Sequence, residues 1–161
     1  MASSPVMERI ALQIRGEAAA INTFLGLLRA EQQALVEGDM EALGAVVQKK
    51  DEGLAGLMNY AQQRKAMLAA LAGGHEPQAG ESPEFGPGAP GELLRREWSR
   101  LLALSAEAAE INRVNGQIIN QRRQKCDEAL AILTASASRQ NVYGPDGSSG
   151  RTSFSRSIAA V

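Results

Sequence analysis

Apolar residues recur every seven positions from Met7 through Ile14, Ile21 and Leu28 to Leu35. Ile10 and Phe24 fall three residues after members of that series, and Ala18 and Leu25 four after. A repeat of this kind draws one apolar stripe along one long helix, expected over residues 5–37. Ser4 is placed to cap its start, with Pro5 in the first helical position. Gly38 supplies the stop, because glycine tolerates the left-handed backbone that closes many helices. Asp39 then caps a second helix over 39–72, with Glu41 in its first turn. Its seam runs through Leu43, Val47, Leu54, Leu57, Ala61, Leu68 and Leu71. Lys50 and Arg64 interrupt it, and their aliphatic stems are expected to cover the seam while the charges reach water. So short a junction forces the two helices into an antiparallel hairpin.

From Gly73 to Gly91 the pattern breaks: this stretch holds six Gly, four Pro and a single bulky apolar residue, Phe85. Such a composition cannot bury much surface and reads as a flexible linker, dispensable for folding. A third helix is expected over 92–138, about 70 Å long at 1.5 Å per residue. Its apolar face is carried by Leu94, Trp98, Leu101, Ala108, Ile111, Ile118, Ile119, Cys126, Leu130 and Leu133, with Asn112 and Asn115 inside the same stripe. Residues 139–161 are Ser- and Gly-rich and form a flexible tail. Tyr143-Gly144-Pro145-Asp146-Gly147 is turn chemistry. Phe154, Ile158 and Val161 fall at helical spacing, in a segment too short for a stable helix alone. The fold class is all-α: an antiparallel helical hairpin plus a long third helix, a coiled-coil-like three-helix bundle over 1–138 with a partner-binding tail.

Composition narrows the function. Hydrophobic residues make up 44% of the 161, but aromatics only 4%, so the apolar mass is Ala and Leu, which suits helices. Seventeen basic residues against eighteen acidic ones leave a net charge of −1, which argues against nucleic acid or an anionic membrane as the partner. No apolar run is long enough to span a bilayer, and no signal-peptide core precedes the first helix, so the expected location is the cytoplasm, without membrane insertion. One Cys excludes an internal disulfide and a multi-Cys metal site.

Candidate chemistry is sparse. His75 sits between Gly and Pro residues with no scaffold to hold a base. Cys126, beside Asp127 and Glu128, reads as a buried structural thiol, since carboxylates raise a thiol pKa. The remaining carboxylates are expected on solvated helix faces. No phosphate-binding loop or nucleophile elbow is present, so no enzyme, no cofactor and no metal site are expected. Trp98 reads as core, or else as an interface anchor. Asn112 and Asn115 in a seam set register, either within the bundle or against a bound helix, and Gly116 beside them suits close packing.

These residues together resemble a known family. Glu37-Gly38-Asp39 followed by Leu43 and Lys50 looks like the hairpin turn of FlgN-type flagellar export chaperones. Asn112-Arg113-Val114-Asn115-Gly116-Gln117-Ile118-Ile119, then Leu130 and Leu133, then Tyr143-Gly144-Pro145-Asp146-Gly147, resemble that family's third helix and tail. The resemblance implies a cytoplasmic chaperone for the hook-associated proteins FlgK and FlgL. Such a chaperone prevents premature assembly of its clients and delivers them to the flagellar type III export gate. It implies docking of Tyr143 on the cytoplasmic domain of the gate. With such a client, binding is expected through Asn112, Asn115, Gly116, Ile118 and Ile119 of the third-helix seam and through Phe154, Ile158 and Val161, whose helical spacing lets them be buried together against a client helix. The alternative is a structural coiled-coil protein that associates only with copies of itself; the apolar residues of the tail have little use there.

Overall fold

A computed structural model describes the backbone of residues 4–71 and 83–140 and the side chains of 5–71 and 83–137. Among the described residues there are three helices and no strand: α1 (Ser4–Glu37), α2 (Met40–Leu71) and α3 (Ala89–Gln140). The chain divides into two compact units, residues 1–119 and 120–161.

Within the first unit, the turn between α1 and α2 follows from two residues. Gly38 takes φ +78°, the left-handed region, and the amides of Gly38 and Asp39 both donate to the Ala34 carbonyl, at 2.9 and 3.1 Å. Asp39 Oδ1 then accepts from the amide of Ala42 at 2.9 Å, satisfying an orphan donor of α2. The helices return antiparallel: Gly16 lies beside Tyr60, and Gly53 beside Phe24. Helix α3 runs parallel to α1, since Arg15 meets Glu97 near one end and Leu28 meets Asn115 near the other.

The core follows the heptad stripe of α1. Ile10, Ile14, Ala18, Ile21 and Leu25 are buried with Leu68 of α2 and Leu94 and Leu101 of α3, and Leu28 and Leu35 are buried further along. A fully buried aliphatic side chain of this size contributes roughly 1.5–3 kcal/mol before ordering costs are subtracted.

Two expectations are corrected here. Phe85 does not belong to a flexible linker: it is buried among the core residues and meets Trp98 edge to face, ring centres 6.3 Å apart. Arg95 Nη1 donates to the Phe85 carbonyl at 2.8 Å, and Gly88 turns the chain with φ +93° into α3, which starts at Ala89 with Pro90 in its first turn. At Gly91 any Cβ would collide with the Gly86 carbonyl, so the chain folds tightly over the start of α3. Residues 73–82 of the expected linker, including His75, lie outside the described residues.

The second correction concerns charge. Glu17, Glu31 and Glu97 are buried, each only 4% exposed, rather than solvated. Arg64 does not simply reach water: its Nε bonds Glu17 at 2.7 Å, and its guanidinium stands 5.3 Å over the Trp98 ring. Lys50 bonds both oxygens of Glu31, at 2.9 and 2.8 Å, and its Nζ is 3.4 Å from Asn112 Oδ1. Asn115, 1% exposed, donates both amide hydrogens to α1, one to the Leu28 carbonyl at 2.9 Å and one to Glu31 Oε2 at 2.8 Å. Glu31 therefore ties all three helices together. Glu97 of α3 is held below the usual carboxylate range, first by the hydrogen bond from Arg15.

Removing one partner of a buried pair leaves the other charge desolvated. Lys50→Met is therefore expected to cost about 2–4 kcal/mol. The triple change Glu31→Leu, Lys50→Met, Asn115→Leu should recover most of that loss, because no polar group of the node then stays unpaired. Urea denaturation measures both, and a triple variant no more stable than Lys50→Met would contradict this assignment.

Candidate partner-binding site

The exposed apolar surface of α3 has two parts, one in each unit. In the first unit, Ile118 is half-buried and Ile119 is 44% exposed. Asn112 is exposed, and Gly116 has nothing within 4 Å of where a Cβ would stand. Asn115, which the sequence also offers for client contact, lies in the bundle interior with its amide engaged by α1, so it sets register and is not available to a partner. Its Oδ1 is buried and unpaired, the cost at which such a residue fixes alignment.

In the second unit, every described side chain from 120 to 137 is exposed. Leu130, Ile132 and Leu133 are 59%, 70% and 63% exposed. Cys126, Ala129, Leu130, Leu133 and Ala137 fall at steps of three and four residues, which places them on one face of the helix. The expectation of a buried thiol is overturned, because Cys126 is free and exposed on that face. Its apolar spacing was legible, but spacing alone does not distinguish a stripe that packs from one left open.

Trp98 takes the first of its two readings: it is half-buried and packed against the core between Phe85 and Arg64. Tyr143, Phe154, Ile158 and Val161 lie outside the described residues. Glu17 and Glu31 are the polar residues that sequence reasoning missed as partners of the seam cations, and Glu97, buried against Arg15, was missed as well. The signal was present: Glu17 and Glu31 stand two heptads apart on α1, and Lys50 and Arg64 two heptads apart on α2.

Among the described residues, no group of His, Cys, Asp and Glu is placed to hold a metal, and no helix is long and apolar enough to cross a membrane. Fold and surface together define an all-α module that presents the exposed apolar face of a long helix. Residues 6–151 match the model of the family described as FlgN protein. The chain is also similar to the "Flagella synthesis protein FlgN" of Proteus mirabilis, 28% identical over 149 residues that cover 91% of this chain and 94% of the relative. No solved structure matches. The chain belongs to the FlgN family, the flagellar export chaperones.

An exposed thiol on a solvated helix reacts without unfolding. The single Cys is expected to titrate fully with a thiol-specific disulfide reagent under native conditions, within about threefold of its rate in denaturant. A thiol that reacts only after unfolding would show that this face is covered.

Proposed function

We propose that the chain is a cytoplasmic chaperone that binds hook-associated proteins of the FlgK and FlgL kind, keeps their apolar helices from premature assembly, and delivers them to the flagellar export gate. Family membership supports the flagellar part of this reading. The observation that carries the binding part is the open apolar face of α3 at Cys126, Leu130 and Leu133. Aliphatic side chains at 59% and 63% exposure, one turn apart, match the requirements of helix-in-groove or helix-on-helix capture of an amphipathic client segment. Ile118, Ile119, Asn112 and Gly116 offer a further, smaller surface in the first unit.

The tail has two roles, the first read from the helical spacing of its apolar residues and the second from its resemblance to the family. Phe154, Ile158 and Val161 order against the client and add a modest net affinity after the cost of ordering is subtracted. Tyr143 docks on the cytoplasmic domain of the gate. No catalytic step is needed for any of this: binding, shielding and release are all changes of contact.

Calorimetry with a purified hook-associated protein tests the client grip. Leu130→Glu with Leu133→Glu should weaken binding at least about tenfold, roughly 1.4 kcal/mol, with helix content unchanged, since both side chains already face water. Equal affinity for parent and double variant sinks the assignment of this face. Tyr143→Ala should leave that client affinity intact yet weaken docking to the gate domain by several-fold; a titration with unchanged gate affinity removes the role.

A further inference from the structure

The open apolar face of α3 carries a cation at its edge. Arg123 stands one heptad before Leu130 and two before Ala137, and three residues before Cys126, so it shares their side of the helix. Its side chain is exposed, and among the described residues it joins no ion pair. Asp127 lies one turn further on, in the cation-before-acid order that pairs less well along a helix, and no ion pair joins the two. Glu128 accepts instead from Gln124, at 3.2 Å. Arg122, next to Arg123, is already engaged within the chain.

The first unit shows what such a cation meets once another helix lies against it. Arg64 meets Glu17, Lys50 meets Glu31, Arg15 meets Glu97 and Arg29 meets Glu107, each from one helix to the next. The two acids that serve the hairpin are set in one pattern. Glu17 follows Ile14 by three residues and precedes Ile21 by four, and Glu31 follows Leu28 by three and precedes Leu35 by four. All four of those apolar residues are buried, and so are both acids. The carboxylate thus sits on the apolar stripe itself, where a cation on the facing helix reaches it without leaving the seam. An Arg covered by a purely apolar helix would lose water and gain no partner.

We propose that the α3 face selects client helices of this same pattern: amphipathic helices that carry an Asp or Glu on their apolar stripe, between apolar residues three and four positions away, at the level of Arg123. The proposal rests on the client-binding reading of the face from Cys126 to Leu133. A guanidinium holds a carboxylate with two parallel hydrogen bonds, a geometry that Lys does not match. At the edge of the stripe such a pair sets register and rejects helices with an apolar or basic residue at that level, while the aliphatic contacts carry the bulk of the affinity.

Calorimetry on the full chain with a purified hook-associated protein tests this. Arg123→Glu should weaken binding about tenfold or more. Arg123→Leu lengthens the apolar stripe, yet it should also weaken binding, by about threefold or more, because the client carboxylate is then covered without a partner. Position 123 is exposed, so circular dichroism should show helix content unchanged in both variants. The decisive arm changes each Asp and Glu of the client's amphipathic helices to Lys in turn. One of these client variants should bind the parent chain about tenfold more weakly and bind the Arg123→Glu chain to within about threefold of the original affinity. Arg123→Leu binding as tightly as the parent or more tightly overturns the proposal, as does an Arg123→Glu variant without effect or a client series in which no change restores binding. Any of these beside a weakened Leu130→Glu, Leu133→Glu double variant overturns the proposal alone. A double variant with the parent's affinity overturns the client reading of the face and the proposal with it.

Discussion

The Glu31 carboxylate is the point on which the three helices agree. It is 4% exposed, and it accepts from Lys50 of α2 and from Asn115 of α3. Apolar stripes hold helices together but align them poorly, because Ala and Leu at every third or fourth position look much the same after a slide of one heptad. A buried carboxylate cannot tolerate such a slide, since it would lose both donors at once and keep its desolvation penalty. Asn115 adds a second constraint, because its other amide hydrogen must find the Leu28 carbonyl. Stability comes mainly from the aliphatic core, and alignment comes from this node.

The hairpin repeats the device. Glu17 meets Arg64 and Glu31 meets Lys50, with Phe24 and Leu57 at the intervening heptad positions of the two helices. Charges interrupting a seam are costly unless matched, and here each interruption on α1 faces one on α2 in antiparallel order. The antiparallel arrangement was legible from Gly38-Asp39 alone. The register was legible too, had the seam cations been matched against acids two heptads apart rather than read as snorkelling side chains. Phe85 was less accessible. Nothing local distinguishes an aromatic that folds back onto a helix start from one adrift among Gly and Pro. The difference lies in the apolar surface around Trp98 that only the assembled bundle creates.

The same distinction governs α3. Periodicity along it is continuous through both units, from Leu94 to Leu133, and sequence alone assigns every member of the stripe equal standing. Burial separates them. Leu94, Leu101 and Asn115 are at most 2% exposed, whereas Ile119 is 44% and Leu133 is 63%. A helix stripe becomes core only where α1 and α2 supply side chains to meet it. Whether that happens depends on the length and ending of other elements, which the stripe itself does not encode.

The chemistry of the exposed face also bears on release. Cys126, Leu130 and Leu133 are aliphatic or small, and the described part of the second unit has no Trp, Tyr or Phe. Interfaces that hold tightly concentrate their free energy in a few buried aromatic or Arg anchors. A face of modest aliphatic contacts spreads it instead, each contributing no more than about 1.5–3 kcal/mol before the client's ordering cost is subtracted. A helix held this way can be peeled off turn by turn, and no single step needs the whole binding free energy at once. In the client-binding role proposed above, the client must stay covered in solution yet detach for export, and a long, shallow stripe without aromatic anchors suits both conditions where a deep pocket would suit only the first.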